Sequence, residues 1–559
     1  MRGGVVKGNV SLKVVILMTW AIVCWCFYQF CYPYHFYWQE ETQLFLMSAE
    51  YLKGYFSKPA WVACMGGDFL TQFYYYTYAG ASIITLLLLV TGDVSRRALE
   101  HAGQVRLAFP LAMAVMVILA LTSLKYTFRL SSLLAWTGGI GMYYAWSLLR
   151  SCKRIPVPVY MVMNAIIAVL TFWMWGVGVW AFVSLSVMDS LTNARKLHAA
   201  LKVGMFSLLV ALLPLLRNYY FLDTDAMLTY PQKGGFCLPE WSLEKSLAYQ
   251  TEYRIGNYQR VINMFNADDD KSELAKYFHN LVAAQRGTLA DILLNTPGNN
   301  LGTFYHIGPK TPKLTIQNMH ELYWAIGDMA FAERAAIMAK TFSPDNRNVR
   351  MIKRLAEINI VRNDTAAAMK YLRILDKTLV YGSFARKILN GDKHAMQPYV
   401  EKRKMQNTTS DIRYSDNAHQ ILVELMMSNG KNIVALDYLL CSDLLLKDIA
   451  TFRKDYDNFA AGNPQVARRR LYQEAMCISL AAAKEEPDVF GKYVDYDVFT
   501  KFVEYNNKRG DRSFKGTYWY FFDRENAAKL ETLSFFHLPS SSIFPFQSLT
   551  SSFLGFTSG

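Results

Sequence analysis

VPVYMVMNAIIAVLTFWMWGVGVWAFVSLSVM, residues 157–188, runs for 32 residues without one Asp, Glu, Lys or Arg. As a single helix it would be about 48 Å long, against a bilayer core of about 30 Å. It is too long for one crossing and short for two. The choice matters because it puts everything after Val203 on one side of a membrane or the other. With two crossings turning near Trp175, Gly176 and Gly178, the inner side of residues 1–216 holds 12 Lys and Arg and the outer side 4; with one crossing the tally is 9 and 7. Lys and Arg collect in short cytoplasmic loops, so the spacing predicts a hairpin.

Further apolar stretches lie at 14–34, 69–92, 107–124, 130–149 and 203–216. With the two arms 157–173 and 174–188, residues 1–220 read as a polytopic helical membrane module of about 7 transmembrane helices. The N-terminus is then cytoplasmic and the long C-terminal region periplasmic, in a multi-pass protein of a bacterial inner membrane. Arg2, Lys7 and Lys13 before the first stretch resemble a secretory signal. However, the run is too long, and bulky Tyr32-Pro33-Tyr34-His35-Phe36 follows it where a cleavage site needs small residues, so a retained anchor is expected.

Charge excludes several function classes. Residues 1–220 contain 17 Lys and Arg against 7 Asp and Glu, and the remainder 42 against 38, so the net charge of +14 follows the loops between spans and forms no basic nucleic-acid patch. The eight cysteines show no C-x-x-C and no Cys/His spacing typical of zinc, so no metal and no cofactor is expected. His279, His306, His320, His394 and His419 show no H-x-x-x-H or H-E-x-x-H pattern and read as surface or core residues. Ion-coupled transporters place ionisable groups at bilayer depth, and the apolar stretches carry none. Asn164 there reads as an interhelical hydrogen-bonding residue.

The outer loop 35–68 begins Trp38-Gln39-Glu40-Glu41. Leu44, Met47, Ser48, Tyr51, Leu52 and Tyr55 then recur at helical spacing, with breaks expected at Gly54, Pro59 and Gly66/Gly67. Glu40 and Glu41 admit two readings. They are the acidic first turn of a helix, favourable to its dipole, or they are catalytic. The stretch from Trp38 to Ser82 is distantly similar to the start of the C-type glycosyltransferase superfamily. That resemblance implies a polyprenyl-linked sugar donor, with Glu40 or Glu41 as the base taking a proton from an acceptor hydroxyl at the membrane interface.

Residues 221–240 are polar and broken by Pro231, Gly234, Gly235 and Pro239, which suits a linker. Residues 241–530 read as a helical-repeat domain, an α-solenoid similar to tetratricopeptide repeats. Its helix-turn markers are Gly256-Asn257, Gly287, Gly327-Asp328 and Asn363-Asp364, and a further hairpin is expected at Asn432–Tyr456 with Lys447-Asp448 in its turn. The aromatic run Tyr518-Trp519-Tyr520-Phe521-Phe522 reads as buried packing, with a sugar-stacking platform as the alternative. A Ser- and Phe-rich tail closes the chain over 531–559.

Glu41-Thr42-Gln43-Leu44-Phe45 with Asp68 to Tyr76, Asn432 to Asp448, and Gly516 to Phe522 together resemble an uncharacterised family of bacterial multi-pass membrane proteins. The fold class expected is all-α, a membrane module plus a solenoid. Three functions fit. The first is an envelope scaffold that sits in membrane lipid and binds a protein partner on the solenoid. The second is a polyprenyl-phosphate-linked sugar transferase using Glu40 or Glu41, and the third a lipid or glycan transporter without ion coupling.

Overall fold

The computed structural model describes residues 4–152, 156–192, 196–233, 235–296, 298–301, 308, 310–404, 417–508 and 511–523. The tail expected over 531–559 and His306 lie outside them. Among the described residues every regular element is helical. The chain divides into two compact units: Met1–Asp268 with Pro312–His320 and Phe331–Lys404, and Asp269–Thr311 with Glu321–Ala330 and Met405–Gly559. The stretch 241–530 is therefore shared between the two units.

Among the described residues of the first unit, four helical stretches are long and apolar enough to cross a membrane: Leu12–Cys31, Ala79–His101, Val157–Thr192 and Lys196–Tyr220. The third is not straight. Gly176 takes φ +53 and ψ −117 between the helices Val157–Trp175 and Val179–Thr192. Residues 22 apart in a continuous helix would be about 33 Å apart, yet Ser186 Oγ donates to Asn164 Oδ1 at 3.2 Å. The two helices are thus antiparallel arms, folded where the glycines lie. Asn164 also accepts from Trp146 Nε1 at 3.3 Å, so its amide ties three helices.

The two ends of this helical bundle collect different segments. At the turn end, Ala60 N donates to Phe172 O at 3.4 Å and Val177 N to Tyr230 O at 2.8 Å. At the other end, Thr192 Oγ1 donates to Ala102 O at 2.8 Å, and Arg150 pairs with Asp189. Between the ends run the helices Ala108–Ser123 and Leu130–Cys152.

Several boundaries differ from those expected. The stretch 69–92 is not one helix: Trp61–Thr71 is followed by a 3-10 turn at Gln72–Tyr75, Tyr78 takes φ +72, and the long helix is Ala79–His101. That helix accommodates charge in its last turns because Arg96 pairs with Asp93 at 2.9 Å and Glu100 at 2.8 Å. Gly66 and Gly67 do not break the chain. They sit within Trp61–Thr71, where a Cβ on Gly67 would lie 2.5 Å from Ser131 N, so the glycine permits close helix approach. The helix expected from Val203 starts at Lys196, which carries Lys202 into the bundle; its Nζ donates to Ser186 O at 2.7 Å and Tyr160 OH at 3.0 Å.

The turn markers of the C-terminal region are turns in the structure. Gly256, Gly287, Gly327 and Asn363 each take positive φ, as does Lys447. In each, the next residue's N–H reaches back five residues, for example Asp328 N to Tyr323 O at 2.9 Å and Asp364 N to Asn359 O at 2.9 Å. This closes one helix, and Asp364 and Asp448 cap the next by accepting from Ala367 N and Thr451 N. In the second unit Tyr518 and Trp519 are buried; Tyr518 OH donates to Leu444 O at 3.0 Å and its N–H to Glu474 at 2.7 Å.

Candidate functional site

Glu40 and Glu41 are the last two residues of the helix Tyr34–Glu41, not the first turn of one. A helix C-terminus repels carboxylates, so this placement needs cations. The helix Trp241–Arg254 supplies one and runs alongside in the same direction. At its start, Glu244 accepts the N–H groups of Tyr34 and His35, completing the N-terminus of the neighbouring helix. At its end, Arg254 lies 2.7 Å from Glu41 Oε1 and 3.8 Å from Glu40 Oε2. Arg350 contributes a second guanidinium 3.1 Å from Glu41 Oε2, to which Gln250 Nε2 also donates at 2.7 Å. Tyr381 OH donates to Glu40 Oε1 at 2.9 Å.

Both carboxylates are 2% exposed. Burial, reinforced by the neighbouring Glu41, pushes the Glu40 carboxyl up to about 7 despite Arg254 and Tyr381. Burial likewise raises Glu244 to about 8. A void of about 10 Å³, room for one water at most, lies against Glu40. The pair joins the Tyr34–Glu41 helix to three helical segments far along the chain.

A cavity of about 580 Å³ opens beside them, a size typical of small-molecule sites. Gln39, Thr42 and Gln43 line it, but Glu40 and Glu41 do not. Its aromatic wall includes Trp38, Tyr126 and Phe128, and its cations are Arg129, Lys233, Lys313 and Arg347. Asp68 is the one carboxylate among the described lining residues. It is held at Oδ2 by Tyr55 OH at 2.7 Å and Arg347 Nη1 at 3.1 Å. Burial raises its pKa, offset by those two partners and Arg129.

Asp345, which does not line the cavity, pairs with Arg129, and with Lys233 at 3.2 Å. Burial works against its ionised form, yet Arg129 and Lys233 hold its carboxyl at about 2. Four cations thus meet two carboxylates, leaving a positive cavity edged by aromatic rings. Such a lining suits an anionic group with an attached apolar body.

Glu40 and Glu41, the candidate catalytic pair of the sequence, are therefore brought to each other and to Arg254 and Arg350, not to the cavity. Asp68, Arg129 and Arg347 do face it. Arg347 lies 279 residues from Asp68, a separation that no local motif records.

The class of protein defined so far is one whose described residues form only helices, four of them apt to cross a membrane, with a charged cavity at one end of their bundle. The chain belongs to a family described as a family of unknown function, DUF6057, which matches residues 9–525. No curated protein and no solved structure matches it significantly.

Proposed function

We propose that this is a multi-pass protein of the bacterial inner membrane that binds the phosphate-bearing headgroup of a lipid-linked ligand, of the polyprenyl-linked sugar class, in the cavity beside Asp68. The observation that carries the reading is the cluster of Arg129, Lys233, Lys313 and Arg347 around about 580 Å³ of space walled by Trp38, Tyr126 and Phe128. Guanidinium and ammonium groups favour phosphate oxygens. The hairpin fold at Gly176 supports seven crossings, and with 12 basic residues against 4 it supports a periplasmic cavity and C-terminal region. In this reading Asp68 is the carboxylate facing the ligand, and Glu40 and Glu41 secure the cavity floor.

Farnesyl phosphate tests this with the full chain in detergent. It is expected to raise the unfolding temperature by several degrees, with farnesol giving no shift at equal concentration. Replacing the two more exposed cations, Lys233→Gln with Lys313→Gln, is expected to weaken binding about tenfold, roughly 1.4 kcal/mol. Equal stabilisation by the alcohol, or unchanged affinity in the double variant, would overturn it.

A second reading, an envelope scaffold that recruits a protein partner through its helical repeats, is favoured by one observation. Glu41 is consumed in ion pairs to Arg254 and Arg350, and Glu40 accepts from Tyr381, which is the use a purely structural tie would make of the pair.

A further inference from the structure

In the second unit, three residues from three consecutive helices converge on one point. His419 lies in the first turn of Ala418–Ser428, Asp443 near the end of Ile433–Leu445, and Asp455 at the end of Ile449–Asp455. His419 Nε2 is 2.6 Å from Asp455 Oδ2 and 3.8 Å from Asp443 Oδ1, and the three ligand atoms all lie within 4.8 Å of one another. Both carboxylates are 2% exposed, whereas the His419 side chain is about one-third exposed. The cluster is thus buried on its acidic side and open to solvent on its imidazole side.

The charge balance of this arrangement is incomplete. One imidazole can compensate one carboxylate, and it is hydrogen-bonded to Asp455. Asp443 is left facing Asp455 with Oδ2 buried and without a hydrogen-bond partner. No Lys or Arg pairs with either aspartate among the described residues. An orphaned buried carboxylate beside a second one is unfavourable unless a proton or a cation joins them.

We propose that His419, Asp443 and Asp455 form a site for a divalent cation of the zinc class. One imidazole nitrogen and two carboxylate oxygens are a zinc donor set, with a water completing four-coordination from the exposed side of His419. Donor atoms about 2.0–2.2 Å from tetrahedral zinc are about 3.3–3.6 Å apart. The observed separations of 2.6 and 3.8 Å bracket that range, so small side-chain shifts close the site. The cation takes the orphaned Asp443 oxygen as a ligand or brings the carboxylate's other oxygen inward. It clips the first helix after residue 417 to the Ile433–Asp455 hairpin.

The test loads the full chain in detergent with zinc or cobalt, removes excess by gel filtration, and measures metal content together with the visible cobalt spectrum. About one equivalent per chain is expected, with cobalt bands of tetrahedral intensity. His419→Gln and Asp443→Asn should each lower retained metal at least tenfold, while His394→Gln, at an exposed histidine outside the cluster, retains it. Asp443→Asn keeps the side chain's shape and removes the buried, unpartnered carboxylate that faces Asp455, so its metal-free unfolding temperature should match or exceed that of the unsubstituted chain. Metal loss in that variant therefore reports the ligand and not a failure to fold. Uptake below a tenth of an equivalent by the unsubstituted chain, or equal uptake by the folded Asp443→Asn variant, would overturn the proposal.

Discussion

Glu40 shows how strongly the surroundings of one carboxylate decide its role. In the sequence it stands directly after an apolar run, where it could serve as a base at the membrane interface. In the structure it is 2% exposed, touches a void of about 10 Å³ and accepts from Tyr381. Folding raises its pKa to about 7 because burial penalises the charge. The folded state therefore holds this proton more tightly than the unfolded chain does. The stabilisation is full below the ordinary carboxylate range and is lost as pH rises through about 7. Glu244, raised to about 8, extends the same loss upward. The unfolding temperature of the purified protein should fall between about pH 5 and 8, and Glu40→Gln should flatten the part of that slope below about pH 7. A slope unchanged by the substitution would mean that Glu40 is already ionised in the fold. Two guanidiniums and Gln250 hold Glu41; Glu41→Gln leaves those cations uncompensated and should cost about 3 kcal/mol in chemical unfolding.

Among the elements, the hairpin 157–192 was legible because a run of that length fits one membrane crossing badly and contains glycines at its middle. Steric contacts explain why those glycines are needed. Gly176 has φ +53, and a Cβ there would lie 2.2 Å from Tyr230 O; a Cβ on Gly139 would lie 2.0 Å from Gly178 O. Backbone cannot yield as a flexible side chain would, so Gly139→Ala should push the Leu130–Cys152 helix off the turn and destabilise by about 2–4 kcal/mol. Gly204→Ala, with nothing within 4 Å of its Cβ, should be neutral or slightly stabilising, since Ala is the better helix former. Comparable unfolding temperatures for the two variants would remove the close-approach argument. The C-terminal turns were legible for a related local reason: Gly327 and Asn363 are residue types that tolerate positive φ, and an aspartate follows each. The start of Ala79–His101 was not legible. Hydropathy does not register that Tyr78 breaks the chain or that Asp93 and Arg96 neutralise each other.

For the whole molecule, hydropathy and charge found the apolar and polar regions but not the sites made between distant segments. Asp68, Arg129 and Arg347 meet only after folding, as do His419, Asp443 and Asp455. None of these sets has a spacing that a local pattern could reveal. The division of residues 241–530 between two units was hidden for the same reason, because helical turns look alike in sequence whichever neighbours they pack on. The central claim, that the charged cavity holds a lipid-linked phosphate, is most directly tested by affinity purification from native membranes followed by lipid analysis. The account predicts that a polyprenyl-linked phosphate co-purifies with the unsubstituted chain, and that it is reduced at least severalfold in the Lys233→Gln, Lys313→Gln double variant and retained in Glu40→Gln. Recovery of a stoichiometric protein partner with no such lipid would contradict the account and favour the scaffold.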